Sequence, residues 1–477
     1  MEKMMSTHPA ILYEQRLNRY VTAMRNEKPD RVPIRFFAEE FAGLYAGYSN
    51  FLTACDYEKA FEATYVCARD FGWDAAFTNL MVNWMGLANS IGWKGIGFPG
   101  VDVDVDSVSQ WTEPNDELSA FMKADEYDLF IEDPTVYLAN VWLPRFTKHI
   151  QPAGAPVTYA HNLALINGSL NFWKYIMAFG TWAQKFRNEI GVVPAAAGTL
   201  KAPLDILGDK LRGYTNFAFD LMERRDKVAA ACEALMPHLC ASALGGADPD
   251  HYVPVTIWMH RGCVPFVSHD IFNRMYWPTL KPIIEEIWAQ GHQTLFYAEG
   301  NWDAHLEKFA ELPHGSIIYH VDRGDVMKAK KVLGDKFCIS GGFPNQLLAF
   351  GTPQEVKARV KKILAEVASD GGYIMDAGAL VMNDAKVENV RALTEATLEY
   401  GVYSQSPSQI AVPFHPRPDQ QGRHPFKQHP HRPGECVPWL EKQNEFPAIS
   451  GDPHQVKKMW QSVDMLGYVF LWTNLTW

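Results

Sequence analysis

Six short runs constrain the fold more than any other feature. VPIRFF (32–37), PVTIW (254–258), TLFY (294–297), SIIYHV (316–321), FCIS (337–340) and GGYIM (371–375) are continuously apolar rather than alternating. Strands look like this when both faces of a parallel sheet are covered. Between the later runs lie TLKPIIEEIWAQG, NWDAHLEKFAELP, DVMKAKKVLG and TPQEVKARVKKILAEVASDG. Each places apolar residues at i, i+3 and i+4 and ends on Gly or Pro, as amphipathic helices do. Thr352, Pro353 and Glu355 read as N-cap, N1 and N3 of the last of these helices.

Strand and helix in this alternation imply a parallel sheet. At this length the number of units favours a closed (β/α)8 barrel, a TIM barrel, over an open sheet. Residues 1–403 are expected to form it. From residue 404 the composition changes to a Pro-, Gln- and His-rich stretch without periodicity, followed by the amphipathic, aromatic-rich segment HQVKKMWQSVDMLGYVFLW (454–472). The apolar aromatics of 404–477 need burial, so this C-terminal extension is expected to pack on the barrel or on a second subunit, which leaves room for a homodimer.

A formal net charge of −11 argues against nucleic acid or an anionic membrane as a standing partner. No stretch approaches the roughly 18 uninterrupted apolar residues of a membrane span, and MEKMMSTHPAILYEQRL lacks an apolar leader region. A cytoplasmic protein is the expectation. The 7 cysteines form no CxxC pair or disulfide framework, in keeping with a reducing compartment. The aromatic load, 15 Trp, 19 Tyr and 27 Phe, suits either a large core or a pocket for a flat apolar ligand.

In a barrel, the residues just beyond each strand line the mouth where chemistry occurs. They are His260 and Arg261 after TIWM, Tyr297 and Glu299 after TLF, His320 and Asp322 in IIYHVD, and Asp376 after GGYIM. Together they offer general acids, bases and hydrogen-bond donors. Each has a plainer role available: His260 as a core histidine, Asp322 as a cap for DVMKAKKVL or a partner of Arg323, Asp376 as a loop anchor. Glu299, between a buried strand and Gly300-Asn301, is costly unless paired or solvated. A metal ligand, an acid acting on a leaving group and a rim carboxylate all remain open for it. His260 with Cys263, and His424, His429, His431 with Cys436, lack the spacing of a zinc site. No P-loop or GxGxxG follows a strand.

KPDRVPI (28–34), FVSHDIFNRMYWPTLKPIIEEIWAQGHQTLFYAEGN (266–301), GGFPNQLLAFGTPQEV (341–356) and DGGYIM with VENVRALTEATLEYGVY (387–403) resemble the uroporphyrinogen decarboxylase superfamily, and within it the corrinoid-linked methyltransferase branch. The resemblance runs over about residues 10–403 and implies a TIM barrel. Decarboxylases of this kind carry an arginine-rich stretch after the first strand; here RFFAEEFAGLY holds only Arg35 and two glutamates, so a tetracarboxylate substrate is not expected. Thiol-methylating members carry His-x-Cys-Gly after the strand matching TLF and a second cysteine after the strand matching GGYIM. Here Tyr297 and Glu299 take the first two positions and Ala379 or a neighbour the last, so no zinc is expected.

The resemblance then implies an O-demethylase methyltransferase that takes a methyl group from a guaiacol-type aryl methyl ether and passes it to cobalamin on a partner corrinoid protein. Phenolate leaves far less readily than phenol, so an acid should act on the ether oxygen. Glu299, Tyr297, His260 and Asp376 are the candidate catalytic residues. Trp258, Phe296, Trp302, Asp322 and Arg261 are the candidate substrate-binding residues. The competing expectations are another methyl donor (a methylamine, a betaine or a non-aromatic ether) and a non-catalytic barrel subunit of a corrinoid complex.

Overall fold

The computed structural model describes residues 8–79, 83–403, 411–423, 426–427 and 432–476. It is an α/β fold built on parallel strands: β1 (Arg35–Phe36), β2 (Ala75–Ala76), β3 (Val193–Pro194), β4 (Thr199–Lys201), β5 (Val255–Met259), β6 (Thr294–Ala298), β7 (Ile317–Val321), β8 (Cys338–Gly341) and β9 (Tyr373–Ile374). Two parallel sheets result, β1-β2-β3 and β4-β5-β6-β7-β8-β9, each strand paired with its neighbour in that order. A parallel bridge from Ile34 to Met375 joins the outer edges of β1 and β9.

All six apolar runs read from the sequence contain a strand, and β5 to β8 are buried at every position. The strands β2, β3 and β4 fall in a region without such runs. They are only two or three residues long, too short to leave a periodic trace.

The KPDRVPI segment earns its place electrostatically. Asp74, fully buried, accepts from Arg31 (2.7 and 2.8 Å), from Arg19 (2.7 Å) and from the Ile34 backbone N–H (2.8 Å), which fixes β1 against β2. Burial alone would push its carboxyl up; Arg31 and Arg19 more than offset this and hold it below the usual range. Helix Pro353–Glu366 has the capping box expected of TPQEV, with the Thr352 hydroxyl accepting from Glu355 N (3.3 Å) and Glu355 accepting from Thr352 N (2.8 Å). By contrast, only Leu306–Phe309 of NWDAHLEKFAELP is helical.

The inner face of the strands carries its own packed layer. Phe37, Phe77, Trp258, Leu295, Tyr297, Ile318 and Ile374 form one cluster, while Phe296, Ala298, Tyr319 and Ile339 belong to the larger core shared with the helices. Neighbours in register show why: Lys201, Trp258, Tyr297, His320 and Ser340 stand side by side on consecutive strands and so point to the same face.

Helix Arg225–Gly245 is, by length and composition, long and apolar enough to cross a membrane. It is a core element here, with Cys232, Leu235 and Leu239 fully buried. The C-terminal helix Pro453–Thr476 lies against it: Trp472 stacks on His238 (ring centroids 4.5 Å apart, 4° between planes), and Tyr468 Oη lies 2.9 Å from His238 Nδ1. Upstream, Arg417 covers the Trp288 ring at 3.5 Å. Cys436, half-buried, donates its backbone N–H to Asp464 (2.6 Å). The histidines at 424, 429 and 431 lie outside the described residues.

Candidate functional site

Beyond the ends of β4, β5 and β6 the polar side chains converge in one hydrogen-bonded network. The backbone sets its frame: Asp205, buried in the helix that begins at Pro203 after β4, accepts from the N–H groups of His260 (3.0 Å) and Arg261 (2.8 Å) and from the Tyr276 hydroxyl (3.1 Å). Its neighbour one helical turn on, Asp209, accepts from Lys201 Nζ (2.9 Å), His260 Nδ1 (2.7 Å) and Arg261 Nε (2.6 Å). Arg261 also pairs with Glu113. The other imidazole nitrogen, His260 Nε2, lies 3.3 Å from Glu299 Oε2, and these two side chains keep 28 % and 33 % of their surface exposed.

The network divides the protons unequally. Burial would raise Asp209, but Lys201, His260 and Arg261 outweigh it and hold the carboxylate well below its ordinary range. Asp205 moves the other way, raised by burial and by the charge of Asp209. For His260, burial and Lys201 both oppose the imidazolium, yet Glu299 and Asp209 together keep it above the ordinary histidine value. Lys210, next to Asp209 in sequence, lies over the Trp111 ring (4.4 Å) and is pushed down to about 7 by burial and by Lys201.

A second polar group lies in the buried inner layer. Arg35 binds Asp376 (2.9 Å), Ser340 Oγ (2.9 Å) and His320 Nδ1 (3.0 Å), all four residues fully buried. His320 stacks on Tyr297 (4.1 Å, 11°), contacts the Gly378 carbonyl oxygen through Nε2, and is held neutral by burial and by Arg35. Asp376 is pushed up to about 7 by burial, with Arg35 opposing. The Tyr297 hydroxyl donates to the Ala379 carbonyl oxygen, and burial and Asp376 raise the phenol well above its ordinary value.

Of the residues singled out in the sequence, His260, Arg261 and Glu299 therefore share one network at the mouth. Asp322 adjoins it, accepting from the Gly300 N–H (2.7 Å) next to Glu299. Asp325, not Asp322, caps the following helix, accepting from Met327 N (2.9 Å). Tyr297 and Asp376 are placed elsewhere, in the buried layer with Arg35. Trp258 belongs to the same inner layer, 4.4 Å from the Tyr297 ring and nearly buried.

Two expected lining residues do not face the mouth. Phe296 points to the opposite side of its strand and packs edge-on against Phe309 (5.5 Å), because side chains alternate faces along β6. Trp302 is 1 % exposed, packed on Tyr276 and Phe309, and its indole N–H donates to the Glu299 carbonyl oxygen (2.7 Å). It buttresses Glu299 from behind.

Sequence reasoning missed Lys201, Asp205 and Asp209. Their signal is in LKAPLDILGDKLR, where charged residues recur every four positions within an apolar segment. Cys263 pairs only with backbone, its Sγ 3.5 Å from the His260 and 3.9 Å from the Glu299 carbonyl oxygens, and burial with Asp205 pushes its thiol up to about 11. Both ring nitrogens of its HxxC partner His260 face carboxylates.

A family model described as uroporphyrinogen decarboxylase (URO-D) matches residues 153–400, more than half of the chain. A uroporphyrinogen decarboxylase from Chlorobium luteolum is 30 % identical over 199 residues, 39 % of this chain and 54 % of the relative. One from Chlorobium phaeovibrioides is 31 % identical over 78 residues, 16 % of this chain and 22 % of the relative. The chain thus spans about half or less of the length of the curated relatives it matches. A methyltransferase from Methanosarcina mazei superimposes with a TM-score of 0.52 at 17 % identity, over 80 % of this chain and 98 % of the other, a likeness of fold.

Proposed function

The chain belongs to the uroporphyrinogen decarboxylase family, and from that premise we propose that it is a corrinoid-dependent methyltransferase that demethylates an aryl methyl ether. The observation that carries the reading is the His260–Glu299 pair, half-open at the mouth, in which an imidazole with raised proton affinity stands between two carboxylates. Such a group is fitted to give a proton to a departing oxygen. The fold shared with the Methanosarcina methyltransferase supports the same direction.

The two parallel sheets are read as one ring of eight strands, with β3 and β4 as the halves of a single strand. Ala195 donates to Ala76 on one side of this strand, and Ala197 donates to Pro254 on the other. The Ile34–Met375 bridge links the remaining edges. The network then lies at the C-terminal rim, where barrel enzymes work.

A corrinoid carried by a partner protein supplies, when bound, a cobalt nucleophile able to accept a methyl group. His260 and Glu299, half-open at the mouth, are the residues that would meet it. The chain's own contribution is to hold the ether with its oxygen toward His260, which gives up its proton as the carbon–oxygen bond breaks and leaves a neutral phenol. Lys201 and Asp209 fix the imidazole on its other side. Tyr297 and Asp376 support the floor rather than the rim.

Decarboxylation of a polycarboxylate is less well supported. Arg35 is enclosed with Asp376, and the cations of the mouth, Lys201 and Arg261, are already bound to carboxylates. The carboxylate excess around His260 favours, as the second reading, a cationic methylammonium donor. A screen of guaiacol-type ethers and methylammonium compounds with free cob(I)alamin, followed by its absorbance change, separates the two. Methyl transfer from the ether that falls at least about 100-fold in His260→Asn supports the proposal; transfer confined to ammonium donors overturns it.

A further inference from the structure

Helix Tyr159–Lys185 is apolar on two opposite faces. One face, with Ala164, Gly168, Phe172, Tyr175, Ala178 and Trp182, is buried against the fold. The other carries Tyr159, Leu163, Ile166, Leu170, Trp173 and Met177, spaced alternately four and three residues apart. That is the a/d spacing of a helix seam built to meet another helix. Yet it faces outward: Tyr159 is 79 %, Leu163 36 %, Ile166 53 %, Leu170 66 % and Met177 68 % exposed.

A helix apolar all round belongs in an interior, and this one has an interior on one side only. From Tyr159 to Trp173 there is no Asp, Glu, Lys or Arg; the exposed positions beside the seam are Ala160, Asn162, Leu165 and Asn167, with Asn171 half-buried. A solvated helix face is usually charged, and depletion of charge is the signature of an interface centre. At roughly 200 Å² per large apolar side chain the five exposed residues offer on the order of 600 Å². Two such faces bury about 1,200 Å², where specific interfaces begin, before the flanking asparagines and half-buried Trp173 are added.

We propose that this seam is the contact of a two-fold homodimer, in which the helix Tyr159–Lys185 packs antiparallel against the same helix of a second copy. Two properties select a second copy. The seam is uncharged, so self-pairing sets no like charges opposite each other, whereas a chain of net charge −11 resists self-association over charged surface. The seam is also nearly symmetric about its middle. An antiparallel pairing centred at Gly168 sets Ile166 against Leu170, Leu163 against Trp173 and Tyr159 against Met177 of the other copy, large side chain to large side chain throughout. Two-fold contacts are self-complementary in this way.

Sedimentation of the full chain over a dilution series tests this. The expected mass is twice the 53.9 kDa of one chain for wild type and the single-chain mass for Leu170→Glu. The variant should stay folded, since Leu170 touches no core, and its melting temperature should lose the concentration dependence that association gives the wild type. A chain carrying Ile166→Cys with Leu170→Cys should form an intermolecular disulfide that reductant cleaves and wild type does not show. A single-chain mass for wild type overturns the proposal. So does a Leu170→Glu variant that keeps the doubled mass, or a failure of the cysteine pair to cross-link.

Discussion

His260 Nε2 lies 3.3 Å from Glu299 Oε2, and the opposite ring nitrogen lies 2.7 Å from Asp209. An imidazole between two carboxylates holds its proton to higher pH than a free one, against the opposing effects of burial and Lys201. If His260 is the acid, methyl transfer is full at low pH and lost as pH rises through its raised pKa. Glu299→Gln removes one of the two carboxylates that raise it, so the loss should move to lower pH. The pH profile of kcat measures this. An unmoved profile would separate Glu299 from the proton and leave it a rim carboxylate.

Lys201 predicts the opposite displacement. Its ammonium lies 2.9 Å from His260 Nδ1 and disfavours the imidazolium. Lys201→Met should therefore carry the fall in activity to higher pH, while the loss of a fixed partner for Asp209 lowers kcat at every pH. Opposite shifts in the two variants would mark both residues as acting through His260. A merely structural lysine would change kcat and leave the profile in place.

Runs such as TLFY and SIIYHV were legible because a parallel strand buried on both faces is written as a block of apolar residues. The one-residue register within the block was not. Phe296 and Tyr297 are equally apolar in sequence, and only pairing with β5 and β7 decides that Tyr297 faces inward and Phe296 toward the helices. Glu299 and His260 could be found because each follows a strand directly. Lys201, Asp205 and Asp209 follow no apolar block, since β4 is three residues long and its helix begins at once, and only their recurrence every four positions marks them. The division between Glu299 at the rim and Asp376 in the floor depends on Arg35, more than 300 residues away in the chain from its partner (|i−j| = 341). No local pattern encodes that separation.

Arg35 and Asp376 give a pH-dependent stability test. The Asp376 carboxyl, pushed up to about 7, stays protonated in the fold below that value and ionises above it, where the guanidinium becomes its counter-charge. Arg35→Met should cost about 1.4 kcal/mol more at about pH 8 than at about pH 6, the worth of one proton that the variant's fold keeps over the pH unit in which the wild type releases it. Urea unfolding at the two pH values measures it. Adding Asp376→Leu should restore most of the loss at the higher pH, because no carboxylate is then left unpaired.

Trp472 ties the C-terminal helix down. It is fully buried, stacked on His238 and hydrogen-bonded through its indole N–H to Thr135 (3.3 Å). Trp472→Ala should cost about 3 to 5 kcal/mol and release Pro453–Thr476 first, since that element meets the rest of the fold mainly through Tyr468, Phe470, Leu471, Trp472 and Leu475. Limited proteolysis should then cut within this helix before the parallel strands. Simultaneous loss of both would show that the extension folds as one unit with the core.

Lys210 supplies the sharpest sign. Its folded-state pKa is pushed down to about 7, mainly by burial, from an ordinary value of 10.5. Below about pH 7 the ammonium is charged in both states and the fold bears the whole cost of enclosing it. Between about 7 and 10.5 the folded chain sheds a proton that the unfolded chain keeps, so this penalty fades as pH rises. Lys210→Met should therefore raise stability by up to about 3 to 5 kcal/mol near pH 6, and the gain should shrink steadily toward pH 10 in a series of thermal melts. A gain of constant size would assign the effect to apolar packing on Trp111 in place of the ammonium charge. A loss at low pH would mean that the ring of Trp111, 4.4 Å from Nζ, holds the cation more strongly than burial opposes it.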